Sequence, residues 1–188
     1  MSGFRRYELL ESVAPLLSDA LVVGNIGFPS QELYALADTP ATFYMLGSMG
    51  LASSIGLGLS LSTSRQVVSI DGDGSVLMNL GTLATIANQA PSNYLLLIVD
   101  NGAYGSTGDQ PTYTSQKTNL AEMARAAGLK HVFEVPGEEL SETLSTCLKS
   151  EGPHVIVAKV APGSPKLKPI PLSPQVIRDR FREEVGRS

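Results

Sequence analysis

Val67-Val68-Ser69-Ile70-Asp71-Gly72-Asp73-Gly74-Ser75 and Tyr94-Leu95-Leu96-Leu97-Ile98-Val99-Asp100-Asn101-Gly102-Ala103-Tyr104 are two apolar runs that each end in a polar, glycine-containing turn. Between Gly74 and Asn101 lie 26 residues, room for about one helix and one strand. Tyr94 to Val99 is so uniformly apolar that it reads as a central parallel strand buried on both faces. Two such units in a parallel sheet put both turns at the same carboxyl edge, where open α/β sheets bind their ligands.

Outward from this pair, strands alternate with helices. Phe4, Tyr7, Leu10, Val13, Ala14 and Leu17 form a helical stripe ahead of a strand at 21–24. After the Gly24-Asn25-Ile26-Gly27 turn come a short helix at 31–37, a strand at 42–46, a small-residue helix at 50–61 and a strand at 66–71. A helix at 79–89 precedes the strand at 94–99, and Asn119 with Glu122 forms a capping box for a helix that Gly128 ends. Strands at 131–134 and 155–159 flank a helix that starts after Pro136 and carries Leu140, Leu144 and Leu148. The expected fold is α/β: a doubly wound, mainly parallel six-stranded sheet with helices on both faces and right-handed crossovers. Residues 1–160 make that domain, and 161–188 make a Pro-rich extended arm, with five prolines and two lysines between Ala161 and Pro174, followed by a helix at 175–185 that packs on the domain or on a partner.

The two turns carry chemistry together. Asp73 offers a carboxylate, Asn101 an amide oxygen, and the turn after it a backbone carbonyl. Hard oxygen donors suit magnesium, which takes octahedral geometry at about 2.0–2.1 Å, with cofactor phosphate oxygens and a water completing the sphere. Either turn alone is ordinary turn chemistry; paired at one edge they read as a magnesium-diphosphate clamp. No G-x-G-x-x-G opens a helix with an acid about 20 residues on, which argues against a Rossmann-type nucleotide binder.

The chain has 188 residues, enough for one core, and a net charge of −4, which argues against a nucleic-acid surface. An anionic cofactor still binds such a chain, because a metal and backbone N–H groups supply a local positive field. Cys147 is the only cysteine, so neither a disulfide framework nor an iron-sulfur cysteine cluster is expected, and a reducing cytoplasm fits. Arg5, Arg6 and Glu8 interrupt the first ten residues, unlike a secretory signal. Thr39 to Ser64 lacks charge over 26 residues, but its small residues, Pro40 and the turn at Gly47 divide it into a short strand and a helix too short for a membrane.

The spacing of the two turns resembles the thiamine diphosphate motif, GDG followed at helix-plus-strand distance by NN. Gly47-Ser48-Met49-Gly50 resembles the segment that holds the cofactor's bent shape in the pyruvate decarboxylase group. Within that group, Tyr44 to Ile55 and Gln110-Pro111-Thr112 are most similar to the sulfopyruvate and phosphonopyruvate decarboxylases, and to their small, diphosphate-binding type of subunit. The resemblance implies thiamine diphosphate and Mg2+ as cofactors. It places Asp73, Asn101 and the Ala103 carbonyl on the metal; Gly72, Gly74 and Ser75 at the diphosphate, with backbone N–H groups of the last two donating; and Asn25 and Gly27 in a first diphosphate loop. It also places Met49 as the wedge that bends the cofactor, Gly47 beside Ser48 as the carbonyl that holds the pyrimidine amino group, and Tyr104 near the substrate. Asp100 stands where the family has the first Asn of its pair, a departure that leaves the metal ligands untouched but alters local hydrogen bonding.

What this resemblance lacks is the pyrimidine-binding domain with its activating glutamate. No residue of this chain is therefore expected to be catalytic by itself. The implied partner is a separate pyrimidine-binding subunit, in a hetero-oligomer of at least two of each. The implied reaction is loss of carbon dioxide from a small 2-oxo acid, sulfopyruvate to sulfoacetaldehyde on the route to coenzyme M, with phosphonopyruvate as the close alternative. Another two-subunit thiamine enzyme, or a non-catalytic cofactor-binding regulatory protein, carries less of the pattern. His131 and His154 fall at strand starts away from the turns and read as structural; Lys166 and Lys168 read as solvated lysines on the arm.

Overall fold

The structure, a computed structural model, describes residues 3 to 187. Its strands are β1 (Leu21–Gly24), β2 (Thr42–Tyr44), β3 (Val67–Gly72), β4 (Tyr94–Asp100), the two-residue β5 (Ala103–Tyr104) and β6 (Gln110–Pro111), β7 (His131–Pro136) and β8 (His154–Lys159). Six of them form one sheet in the order β2-β1-β3-β4-β8-β7, parallel at every pairing. The helices are α1 (Arg6–Val13), α2 (Phe28–Ala37), α3 (Ala52–Ser60), α4 (Asp73–Leu77), α5 (Gly81–Gln89), α6 (Leu120–Ala126), α7 (Leu140–Cys147) and α8 (Pro174–Val185).

β4 is buried at all seven positions, as its apolar run requires. Its side chains alternate between two cores. Leu95, Leu97 and Val99 face α1, α2 and α7 through Leu9, Leu10, Leu33, Leu140 and Leu144. Leu96 and Ile98 face α3, α5 and α6 through Leu57, Leu83, Ile86, Leu120 and Ala124. Helices thus cover both faces, and no helix among the described residues is long and apolar enough to cross a membrane.

Small residues let α3 lie close on the sheet. A Cβ on Gly56 would sit 1.9 Å from Ser69 Oγ and 3.0 Å from the Tyr94 ring, so only glycine permits this approach. Within that contact Tyr94 Oη donates to the Ser53 carbonyl at 2.9 Å and Ser69 Oγ donates to the Ala52 carbonyl at 3.0 Å.

Several elements depart from the sequence pattern. α2 begins at Phe28, three residues before the apolar stripe, because Pro29 suits the first turn of a helix. β2 stops at Tyr44, where the chain turns toward Met49. The helix expected from Asn79 is preceded by the five-residue α4, and two short β segments after Asn101 have no apolar alternation to announce them. Only half of the capping box forms: Asn119 Oδ1 accepts from Glu122 N at 2.9 Å, while the Glu122 carboxylate accepts from Arg125 at 2.6 Å. Tyr7 is half-buried, and Arg6 takes a place with Leu9, Leu10 and Val13 on the buried face of α1.

The segment after β8 runs back over the domain, with Ile170, Leu172 and Ile177 against the core that holds Leu9. α8 lies along the β2 edge. Phe181 stacks 5.5 Å from Phe43, and Arg65 pairs with Glu184 at 3.0 Å. Arg180 donates to Asp38 at 2.9 and 2.5 Å and stands 5.5 Å from the Tyr44 ring, whose hydroxyl also donates to Asp38. Burial works to raise the Asp38 pKa, but hydrogen bonds from Arg180 and Tyr44 outweigh it and hold the carboxyl below its usual value. A lowered carboxyl stabilises the fold above its unfolded pKa and loses that contribution as pH falls through the folded one. Arg180→Ala is expected to cost about 1 kcal/mol in urea denaturation at pH 7, with the difference from wild type shrinking below about pH 4 as Asp38 protonates.

Candidate functional site

The crossover from β1 runs through α2 on one face of the sheet, while those before and after β3 run through α3, α4 and α5 on the other. This reversal opens a crevice at the carboxyl ends of β1 and β3, the topological switch point of an open α/β sheet. The pairing of β3 with β4 sets Gly72 opposite Val99 and brings the turn after each strand to that crevice. Asn25, Met49, Gly72, Asp73, Gly74, Ser75, Asn101, Ala103 and Tyr104 line one cleft there, together with Arg6, Ile26 and Phe28. Gly27 lies between two lining residues but outside the lining itself, and Gly47 and Ser48 are exposed beside Met49 rather than inside the cleft.

Asp73 opens α4 and is buried. Its Oδ2 accepts hydroxyls from Thr112 at 2.5 Å and Thr114 at 2.8 Å. Thr114 Oγ1 also lies 2.8 Å from Asp100 Oδ1, and the Lys159 ammonium donates to Asp100 Oδ2 at 2.5 Å. The acid that replaces an amide at position 100 is thereby neutralised by Lys159, and it accepts from Gly102 N at 3.1 Å to shape the turn that follows. Burial raises the Asp73 pKa, its threonine partners oppose the rise, and the nearby Asp100 charge adds to it.

Asn101 Oδ1 accepts from Ala103 N at 3.2 Å, closing the turn after β4. Thr112 N donates to the Gly102 carbonyl at 2.9 Å, and Ala103 faces Pro111 at the next position. Hydrogen-bonded and non-bonded pairs alternate in an antiparallel ladder, so the Ala103 carbonyl points away from β6. Ser75 knits three segments: its hydroxyl accepts from Gly50 N at 2.9 Å and lies 3.3 Å from Asn25 Oδ1. The Met49 segment, the β1 turn and α4 are therefore joined through one hydroxyl.

Asp71 is buried. Its Oδ1 accepts from Gly72 N at 2.9 Å, and its Oδ2 has no hydrogen-bond partner among the described residues. Burial pushes its pKa up to about 6, while the nearby Ser75 hydroxyl and the Gly72 and Ser53 backbone N–H groups favour the charged form. His131 and His154 face each other across the first register of β7 and β8, with ring centroids 5.3 Å apart, at the opposite end of the sheet. Lys166 and Lys168 are exposed.

A profile of the thiamine pyrophosphate enzymes' C-terminal TPP-binding domain matches residues 23–158, which hold both turns and four of the six sheet strands complete. The chain belongs to this family. Sulfopyruvate decarboxylase subunit beta of Methanocaldococcus jannaschii is 46% identical over 98% of this chain and 98% of its own. Sulfopyruvate decarboxylase of Methanosarcina acetivorans is 40% identical, and phosphonopyruvate decarboxylase of Streptomyces viridochromogenes 43%. The match covers 96% and 92% of this chain but only 47% and 44% of those proteins, so the chain spans about half of each. Among solved structures, 2-oxoglutarate:ferredoxin oxidoreductase from Magnetococcus marinus superposes with a TM-score of 0.72 at 18% identity, over 88% of this chain and 65% of that one. That likeness concerns the fold, and it agrees with the doubly wound sheet expected from the sequence.

Four residues of the cleft region have no site role assigned from the sequence, although Thr112 belongs to a segment that carries the family resemblance. Thr112 and Thr114 lie about 40 positions from Asp73, Arg6 falls between members of an apolar stripe, and Asp71 reads as the last residue of a strand. The spacing of Thr112 and Thr114 was the available signal, since alternate positions on an extended segment share a side.

Gly74 accommodates the Tyr104 ring. A Cβ there would meet Tyr104 Cε1 at 2.3 Å. Gly74→Ala is expected to cost about 1–3 kcal/mol from overpacking, and Tyr104→Ala in the same chain to recover most of that loss. A double-mutant cycle by urea denaturation measures the coupling.

Proposed function

We propose that this chain is the diphosphate-binding subunit of a thiamine diphosphate- and Mg2+-dependent 2-oxo acid decarboxylase, acting on sulfopyruvate to give sulfoacetaldehyde and carbon dioxide. The observation that carries the reading is the joint placement of Asp73, Asn101 and the outward Ala103 carbonyl along one cleft at the switch point. All three donors are hard oxygens, the set that magnesium takes. Asp73 Oδ2 is engaged by two threonines, which leaves its other oxygen for the ion.

In this reading Gly74 and Ser75, at the start of α4, offer backbone N–H groups to the diphosphate, and Asn25 and Gly27 border it from β1. Met49 supports the bent cofactor from the cleft wall, and Gly47 and Ser48, exposed beside it, meet the pyrimidine half together with the partner chain. Tyr104 lies over the diphosphate turn on the side open to substrate. Thiamine diphosphate, when bound, supplies the carbanion that adds to the 2-oxo carbon and the ring that takes up the electron pair freed with carbon dioxide. This chain's residues bind and orient; the activating carboxylate comes from the partner.

The name of a relative supports a separate partner: the M. jannaschii protein is a subunit beta, which implies another subunit. A pyrimidine-binding subunit, at least two copies of each chain, a cytoplasmic setting consistent with a single buried thiol at Cys147, and a place on the route to coenzyme M belong to this proposal. Phosphonopyruvate is the second candidate substrate, favoured by the 43% identity to the Streptomyces protein.

Carbon dioxide release is the test, from sulfopyruvate and from phosphonopyruvate with thiamine diphosphate and Mg2+, by the chain alone and with a pyrimidine-binding subunit. Activity only in the mixture and faster on sulfopyruvate is expected; no release from either acid in the mixture refutes the proposal. Asp73→Ala is expected to weaken Mg2+-dependent thiamine diphosphate binding by about 100-fold or more, since it removes a metal ligand, with circular dichroism unchanged.

A further inference from the structure

Arg6 is the only cationic side chain among the described residues that line the cleft, and it is 7% exposed. Its guanidinium is held by two elements. Nε donates to Glu32 Oε2 at 2.7 Å, Nη2 to Glu32 Oε1 at 2.9 Å, and Nη2 also to Ser164 Oγ at 2.6 Å. A guanidinium carries five N–H donors. Three are engaged here, and the two that remain are both on Nη1. Nη1 has no hydrogen-bond partner among the described residues and is not fully enclosed, and Arg6 lines the cleft, so these two N–H groups are the ones left for a ligand there.

An arginine confined in this way is a fixed donor fork. The bidentate bond to Glu32 sets the plane of the guanidinium, and Ser164, on the segment after β8, prevents it from swinging away. Glu32 cancels most of the net charge, so what Arg6 offers the cleft is a pair of directed, charge-assisted donors, the arrangement that recognises phosphate oxygens. Phe28 and Pro29 at the start of α2 and Gly74 and Ser75 at the start of α4 line the same cleft as Arg6. Asp71 and Asp73 make the rest of the cleft acidic, which leaves an anion few other donors.

We propose that Arg6 is a cofactor-binding residue, its Nη1 donating to a phosphate oxygen of the diphosphate, with Glu32 and Ser164 as the residues that position it. The proposal rests on the reading of the cleft as a diphosphate site and adds a side-chain anchor from α1 to the metal and backbone contacts.

Removing Arg6 alone would bury an unpaired Glu32, a change that destabilises for reasons unrelated to binding. The informative variant is therefore the double replacement Arg6→Met/Glu32→Met, which removes both charges. The probe is magnesium pyrophosphate, titrated calorimetrically into the full chain together with its pyrimidine-binding partner. The expected result is a loss of affinity of at least about 10-fold for pyrophosphate and for thiamine diphosphate alike, with the melting temperature within a few degrees of wild type. Arg6→Lys, which keeps a cation beside Glu32 but lacks Nη1, is expected to show a similar loss; it carries the test if the double variant fails to fold.

Wild-type affinity for pyrophosphate in the folded variants overturns the proposal. So does unchanged pyrophosphate affinity with a raised KM for the 2-oxo acid, which would assign Arg6 to the substrate's anionic headgroup. A wild-type complex that binds magnesium pyrophosphate through Arg6 but releases no carbon dioxide from either acid would refute the decarboxylase reading and leave the Arg6 site standing.

Discussion

The register between β3 and β4 governs the cleft. With Asp71 opposite Ile98 and Gly72 opposite Val99, the two strands end together, and Asp73 and Asn101 leave the sheet side by side. A shift of one residue would send each β4 side chain into the opposite core, where it does not fit its neighbours, and would separate the two turns. The register is well specified because β4 is buried on both faces, with Leu95 and Leu97 packed on one side and Leu96 and Ile98 on the other. The apolar core thus sets the distance between two polar turns that share no direct hydrogen bond.

Four carboxylates are buried at this edge, and each is accommodated differently. Glu32 is held by Arg6, Asp100 by Lys159, and Asp73 by two threonine hydroxyls. Asp71 retains an oxygen without a partner and a pKa near 6. Burying an ionised carboxylate without a countercharge is costly, so a cation bound at this edge would offset part of that cost. Asp73 and Asp71 are the two without a cationic partner among the described residues, and both line the cleft.

The same edge gathers distant segments. Ser75 holds Gly50 and Asn25, Thr112 and Thr114 hold Asp73, and Arg6 reaches Ser164. The start of α1, the β1 turn, the Met49 segment, α4, the loop around Thr112 and the segment after β8 are joined by short hydrogen bonds. Such convergence limits how far any wall of the cleft moves alone, which is the condition for a preorganised site.

The period-2 and period-3.6 patterns, the glycine turns and the length between them determined the fold class, and the pairing of Asp73 with Asn101 pointed to one edge and to hard-oxygen chemistry. These features are local: propensity and burial act on neighbours in sequence, and parallel topology follows from alternating elements. Element ends were less legible, since α2 starts at Phe28, with Pro29 in its first turn, and α4 is too short to show a stripe. Only the tertiary structure decided that Arg6, between members of an apolar stripe, lines the cleft, that Thr112 and Thr114 clasp Asp73, and that Lys159 neutralises Asp100. Those contacts join residues that lie dozens of positions apart, and no local preference encodes them; they exist because the sheet order brings the carboxyl ends of separate strands to one place.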